Sequence, residues 1–253
     1  MSVLLLGSVA GAPGVTTTAV ALTMAWPRPV VLVEAAATGA SAILPGYLAG
    51  RIAHTHGIID AAVVARTGPL ADALPDMLIP LPPSPHARLL AGLVRPEQAA
   101  SMATAWPALG DALVDAARAL EVDLIVDAGR LGLVGAPQPM IPVSDRVLLV
   151  TGSDLPALHA ARAWLPALRA QLIDTSRLGL LVVGDARPYT AREIRRHLGA
   201  EVVGVIDHDP SGALPWSHGA PTPRRASPFA RSITGLLPNL ANAPAMAPIG
   251  GLR

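Results

Sequence analysis

The sequence contains no cysteine, which excludes disulfides, thiolate-bound zinc and a cysteine nucleophile. It contains no lysine either: all 19 basic residues are arginine. Aromatic residues make up only 3%, so the core must be built from Ala, Val and Leu, and a surface that stacks bases on aromatic rings is not expected. Charge of one sign is also scarce. With 18 acidic residues against the 19 arginines the net charge is +1, too little for a global field that would gather nucleic acid or an anionic membrane. Long apolar runs are missing as well. Met1-Ser2-Val3-Leu4-Leu5-Leu6 has no basic residue before it and stops at Gly7, whereas a signal peptide needs a longer apolar stretch and a spanning helix about 18 apolar residues or more. The expectation is a soluble, cytoplasmic protein with no direct membrane insertion.

What is present is enough for a folded domain. The 253 residues are 51% apolar and 15% charged, a balance that supports a sizeable core and excludes wholesale disorder. Short runs, apolar throughout, mark strands at Val3–Leu6, Val30–Glu34, Met77–Pro80, Leu124–Asp127, Val147–Thr151, Leu178–Val183 and Val202–Ile206. Runs that do not alternate belong to a parallel sheet covered on both faces. Helical periods lie between them, near Thr16–Ala25, Pro96–Leu120, Pro156–Leu172, Ala191–Leu198 and Pro228–Leu240. Leu109, Leu113, Ala117 and Leu120 form a core-facing stripe. Thr190 with Glu193 reads as a capping box, and Gly199 as the stop. The alternation predicts an α/β fold: a single doubly wound, mostly parallel sheet with helices on both faces. One domain over 1–240 is expected, with Leu81–Pro85 and Gly219–Pro228 as surface loops and 241–253 as a disordered tail.

The most informative segment is Val3-Leu4-Leu5-Leu6-Gly7-Ser8-Val9-Ala10-Gly11-Ala12-Pro13-Gly14-Val15-Thr16-Thr17-Thr18. A strand enters a glycine-bearing loop, and a helix opens with three threonines. Loop N–H groups and the positive end of the helix would converge on one spot that suits phosphate. Gly11, Gly14, Val15, Thr16 and Thr17 are thus the candidate nucleotide-binding residues, with the Thr16 or Thr17 hydroxyl placed for Mg²⁺. The phosphate-binding pattern G-x-x-x-x-G-K-[ST] is broken, because Val15 stands where the lysine belongs. Glycine-rich turns of this kind also occur in doubly wound folds that bind nothing there.

The order of features resembles the ParA/MinD family of deviant-Walker P-loop ATPases, specifically the divergent actinobacterial branch found beside Flp/Tad-type pilus assembly genes. Gly11-Ala12-Pro13-Gly14-Val15-Thr16-Thr17 sits where the family has K-G-G-x-G-K-T-T, and Ala10 occupies the place of its extra signature lysine. Val30-Val31-Leu32-Val33-Glu34-Ala35-Ala36 resembles the second strand, with Ala36 in place of the acid that orients the attacking water. Val122–Gly129 resembles the strand of the Walker B Asp, here Asp127, and the switch glycine. Ser144–Val150 resembles a later strand. Arg187–Tyr189, Glu193-Ile194, Leu198-Gly199 and Val203–Ile206 resemble the closing αβ unit, with Gly184 where the family's Asn contacts adenine. The resemblance spans about residues 1–240, and its specificity lies in order and spacing, since no one motif is intact.

The resemblance implies Mg-ATP as ligand and Asp127 as an outer carboxylate for Mg²⁺ with Thr16. Arg130, directly after Gly129 at the carboxyl edge of the same strand, is by its place the candidate substitute cation. An ordinary ion pair for Arg130 and a strand-end structural role for Asp127 are the alternatives. Phosphoryl transfer relies on charge stabilisation at the γ-phosphate, so a site without its two lysines and its switch acid should bind nucleotide weakly and turn it over little. The expected function is that of a degenerate member acting as a positioning or scaffold component, in pilus or secretion assembly or in partitioning. Protein partners, and a homodimer held by surfaces other than the signature lysine, are implied. The alternatives are a slow ATPase switch using Arg for Lys and a Rossmann-type dinucleotide enzyme with Glu34 on a ribose. The glycine spacing departs from G-x-G-x-x-G, and a Tyr-x-x-x-Lys pair is impossible without lysine. His54-Thr55-His56 and Asp207-His208-Asp209 lack a third metal ligand, and no serine-hydrolase elbow occurs. Arg192, Arg195, Arg196 and Arg224-Arg225 read as solvated faces, so nucleic acid is not an expected partner.

Overall fold

The computed structural model describes residues 1–11, 13–184, 188–221 and 225–241. Its strands are β1 (Val3–Ser8), β2 (Val30–Glu34), β3 (Ile79–Pro80), β4 (Ala87–Leu90), β5 (Asp123–Arg130), β6 (Arg146–Gly152), β7 (Leu178–Val183) and β8 (Glu201–Ile206). They form one sheet in the order β3-β4-β2-β5-β1-β6-β7-β8. Every pairing is parallel except β3 with β4. The helices are α1 (Val15–Ala25), α2 (Ile58–Val64), α3 (Leu70–Met77), α4 (Gln98–Ala119), α5 (Leu155–Arg169), α6 (Ala191–Leu198), α7 (Pro210–His218) and α8 (Pro228–Ala241).

Two hydrophobic layers, one on each face of the sheet, explain why the strand runs are apolar at both parities. Val3 and Leu5 of β1 point into a core shared with Trp106, Leu109 and Leu113 of α4, Leu165 of α5 and Ile194 of α6. Leu4 and Leu6 point the other way, among Val20 and Leu22 of α1 and Ile233 and Leu236 of α8. The division follows from handedness. The chain moves one way along the sheet through α1 and the opposite way through α4, α5 and α6, and right-handed crossovers then require opposite faces. Helix α1 lies between the sheet and the α7–α8 pair, so it has no water-facing stripe to fill. Its buried Thr23 satisfies its hydroxyl by donating to the carbonyl of Ala19 (2.8 Å).

Asp123, at the amino end of β5, ties the opposite edge of the sheet together. Its carboxylate accepts from Ser2 N (2.7 Å), Trp26 Nε1 (2.8 Å) and Arg28 Nε (2.8 Å), while the Arg28 guanidinium also lies 2.7 Å from Oδ2. These contacts fix the start of β1 and the exit of α1 to the neighbouring strand.

The expected fold class is the one observed, and most predicted elements occur. The Thr190 capping box is present, with Glu193 Oε2 accepting from Thr190 N (2.9 Å), and Gly199 ends α6 in the left-handed region at φ 58°. Three differences have physical causes. The strand expected at Met77–Pro80 is only Ile79–Pro80, because Leu70 and Leu74 draw Met77 into the preceding helix α3. Strand β4 was hidden by Arg88, which interrupts its apolar run beside the Pro-rich turn. Short helices α2, α3 and α7 carry too few turns to register as periods. Ala241, placed in the expected tail, is the last residue of α8; the rest of that tail lies outside the described residues.

Candidate functional site

The carboxyl ends of β1, β2 and β5 meet at one level, and the loop between β1 and α1 rises from that level. Parallel pairing sets the register: Leu6 lies opposite Asp127, Glu34 lies opposite Asp127 on the other side, and Ser8 lies opposite Arg130. A shift in the β1–β5 ladder between Leu6 and Ser8 turns β1 toward the loop. There Leu131 N donates to Ser8 O (2.8 Å), and the Ser8 hydroxyl faces the Gly129 carbonyl at 3.4 Å. Ser8 is buried, and sequence reasoning missed its part in joining the two strand ends.

Gly11 and Gly14 both adopt positive φ, 63° and 81°, a region that costs other residues strain. A Cβ at either position would meet nothing within 4 Å among the described residues, so the loop stands clear of the protein on that side. Gly14 is the N-cap of α1 and provides no side-chain acceptor, and the first turn of α1 has no acid. By contrast α5, α6 and α7 are capped by the side chains of Asp154, Thr190 and Asp209. The first N–H groups of α1 are left to solvent or to an anion. Val15 is buried in the α1-side core, so toward the loop it can offer only its backbone N–H. Thr16 and Thr17 are half-buried.

Asp127 is the most perturbed acid at this site. It is fully buried at the end of β5, and Oδ1 accepts from Gly129 N (3.0 Å). Oδ2 is buried with no hydrogen-bond partner among the described residues. Burial pushes the carboxyl up to about 6, and the neighbouring Glu34 adds to the rise, while the Thr16 hydroxyl and Gly129 N work in the opposite direction. Thr16 and Asp127, the two residues proposed for Mg²⁺ from sequence, are thus neighbours. Arg130 leaves β5 with its side chain exposed and, among the described residues, forms no ion pair. The ordinary ion pair considered for it is absent among those residues.

Glu34 corrects the dinucleotide reading. Its Oε1 accepts from Ala42 N (2.7 Å) and Ile43 N (3.1 Å), and its Oε2 from Ser41 Oγ (2.7 Å) and Gly92 N (2.9 Å). A carboxylate occupied by four protein donors is not free to hold a ribose. It anchors the loop that follows β2 instead. Gly92 has no room for a side chain because a Cβ there would lie 2.9 Å from the Glu34 carbonyl oxygen. The histidine pairs do not assemble either: no cluster of three or more His, Cys, Asp or Glu suited to a metal occurs among the described residues. Asp209 caps α7, accepting from Gly212 N (2.9 Å). Among the described residues no helix is long and apolar enough to cross a membrane.

With this geometry in hand, the chain aligns over nearly its full length with several solved structures. The MinD cell division protein of Aquifex aeolicus superposes with a TM-score of 0.73 at 18% identity, covering 97% of this chain and 100% of that one. The same Aquifex protein in its MinC:MinD complex gives 0.72 at 16%, with 98% of both chains covered. A ParA family ATPase from Chlorobium tepidum TLS gives 0.70 at 17%, covering 94% and 99%. The septum site-determining protein MinD of Pyrococcus horikoshii OT3, complexed with Mg-ADP, gives 0.68 at 17%, covering 95% and 96%. The fold is that of the ParA/MinD P-loop NTPases. No family model matches the sequence, and no curated protein matches it.

Neither Ala10 nor Val15 can supply an ammonium. Ala36 sits against Gly129, whose Cβ, if present, would lie 2.6 Å from that of Ala36. Only a methyl group is therefore available beside the end of β5. Gly184 adopts φ 121°, and Arg187, just beyond it, lies outside the described residues.

Proposed function

We propose that the chain is a degenerate ParA/MinD-like P-loop protein of the cytoplasm. It binds Mg-nucleotide weakly, hydrolyses it little or not at all, and acts as a positioning or scaffold component through protein–protein contacts. The observation that carries the nucleotide part is the buried Asp127 Oδ2, without a hydrogen-bond partner among the described residues, near Thr16 and below a helix start whose cap, Gly14, supplies no side-chain acceptor. A buried polar atom without a partner is costly, and a hard cation with its water shell is the chemistry that such an oxygen pair accepts. Thr16 and Asp127 would hold Mg²⁺ from the protein side, and phosphate oxygens and water would complete its shell. Bound there, the cation would neutralise phosphate charge. The loop N–H groups would orient the phosphates, and Val15 would contribute its N–H alone.

Weak turnover follows from what is missing. Backbone dipoles remain, but both lysines and the water-orienting acid do not, and such charges are worth several powers of ten in phosphoryl transfer. The partner-binding part is supported by likeness: MinD of Aquifex is found in complex with MinC. A role in pilus or secretion assembly, or in partitioning, is supported by the order of sequence features, and a homodimer would be held without a lysine crossing between subunits.

Thermal shift with ATP, ADP, GTP and NAD, each with and without Mg²⁺, tests this reading. A ligand at a hundred times its Kd adds about 2.7 kcal/mol, or about 5–10 °C for a chain of this size. The expected result is a Mg-dependent shift with ATP or ADP and no phosphate release above background. Stabilisation by NAD alone would refute the assignment, and no shift with any nucleotide would remove its nucleotide part. A second reading, a slow ATPase, is favoured by Arg130, exposed and without an ion pair among the described residues. It predicts measurable turnover that Arg130→Ala abolishes.

A further inference from the structure

Helices α5 and α6 are neighbours on the α4 face of the sheet, and a cavity of about 290 Å³ opens between them. Its apolar wall is formed by Leu158, Ile194 and Leu198, with Leu155 on the lip, 64% exposed. Tyr189 also lines the cavity, and His159, Arg162, Glu193 and His197 contribute its polar groups. The volume is at the small end of the range of about 300–1,000 Å³ that encloses a drug-sized ligand. It suits one large side chain, not a nucleotide or a cofactor.

The two helices carry more positive than negative charge. Their carboxylates, caps included, are Asp154 and Glu193, and each accepts a backbone N–H at the start of its helix. Asp154 Oδ1 accepts from Ala157 N (3.0 Å) at the start of α5. Glu193 Oε2 accepts from Thr190 N (2.9 Å) and Thr190 Oγ1 (2.8 Å), and those bonds hold its pKa below the ordinary carboxylate value, helped by Arg196 and His197. Arg162, Arg192, Arg195 and Arg196 are exposed and form no ion pair among the described residues. The arginines of α6 that read from sequence as a solvated face thus stand behind a groove whose opposite wall carries Arg162.

We propose that this groove is a docking site for an acidic segment of a partner protein. One large apolar side chain of the segment seats on Leu158, Ile194 and Leu198, and its flanking carboxylates meet Arg162 and the positive field of α6. An apolar anchor in a pocket with a cationic rim is how a small interface obtains both affinity and orientation. Nucleic acid fits less well, because a phosphate chain would leave the apolar wall uncovered. The inference rests on the reading that the chain works through partner proteins, and it involves none of the nucleotide-loop residues.

A library of random dodecapeptides displayed on phage, selected on the full chain, tests it. The expected consensus is acidic with a Leu, Phe or Trp anchor. The consensus peptide, labelled with fluorescein, should bind Arg162→Glu about tenfold more weakly or worse, by fluorescence polarisation. Leu155→Ser should weaken binding several-fold. Both side chains are exposed, and thermal melts establish that the variants are folded. No enrichment, a basic or uncharged consensus, or binding indifferent to both substitutions would overturn the proposal. So would competition by duplex DNA that is lost in Arg162→Glu, which would hand the surface to nucleic acid. The thermal shift with Mg-ATP, repeated on the two variants, separates the two ideas: it should be unchanged where peptide binding is lost.

Discussion

Asp127→Asn should change the pH dependence of stability more than stability itself. The carboxyl is raised from 3.8 to about 6, first by burial and then by Glu34. The unfolded chain therefore releases this proton near 3.8 and the folded chain near 6. Between those values the folded state binds more protons, so stability falls as pH rises. The stability of the protonated form is fully present below 3.8 and has been lost once pH passes 6. A shift of about two pH units corresponds to about 3 kcal/mol, since each unit is worth about 1.4 kcal/mol. Asparagine is neutral throughout and keeps Oδ1 for Gly129 N. It also places an amide where Oδ2 has no partner, at a constant cost of about 1–3 kcal/mol. That cost offsets the gain at neutral pH but has no pH slope. Urea unfolding from pH 4 to pH 8, followed by the fluorescence of buried Trp26 and Trp106, should show wild type losing about 2–3 kcal/mol relative to the variant between pH 4 and pH 7. Curves that stay parallel would refute the reasoning, because they would mean that Asp127 is not held as a buried, cation-seeking acid. With Mg-ATP present the variant should also lose the Mg-dependent part of its thermal shift.

Three further substitutions test the frame around the site. Asp123→Ala removes the acceptor for Ser2 N, Trp26 Nε1 and Arg28 and should cost about 2–4 kcal/mol in urea unfolding, mostly through the orphaned indole and amide. Glu34→Ala frees Ser41, Ala42, Ile43 and Gly92 from their common acceptor. Amide hydrogen exchange should accelerate at 42, 43 and 92 before global unfolding, while exchange in β6 and β7 stays unchanged. Thr190→Ala removes one half of the capping box of α6 and should cost about 1 kcal/mol; a cost near zero would mean that packing of Ile194 and Leu198 alone sets that helix.

The parts of the fold legible in the sequence are those fixed by local chemistry. Val30–Glu34 and Leu178–Val183 were bounded to the residue, because unbroken apolar runs end at a charge or a glycine. The capping box and Gly199 defined α6 for the same reason. Elements whose pattern is set by tertiary neighbours were not legible. β4 is a strand because β2 supplies its ladder, although Arg88 breaks its run. At the site, the pairing of Thr16 with Asp127 could be read from motif order, but the role of Glu34 could not. A carboxylate at the end of a second strand has the same spelling whether it faces a ribose or four protein donors, and those donors lie as far off as Gly92. Ser8 and the α5–α6 groove were invisible for a similar reason: each joins side chains from segments distant in the chain.

Glu34 and Asp127 lie side by side in the ladder and are both buried, yet they differ in satisfaction. Glu34 uses both oxygens on protein donors, which makes it a structural knot. Asp127 has one oxygen bonded and one without a partner, so its ionised form is costly in the folded protein at neutral pH. A neutral side chain at 127 would relieve that cost, and so would a cation beside Thr16. If the loop kept the fold and nothing else, the fold would gain by exchanging Asp127 for an apolar residue of similar size, which leaves no charge and no orphaned amide. The unsatisfied oxygen, more than the broken loop motif, is thus the physical reason to expect a cation-linked anion at this end of the sheet. It is also why the contrast between Asp127→Asn and wild type, with and without Mg-ATP, separates a ligand site from a vestige.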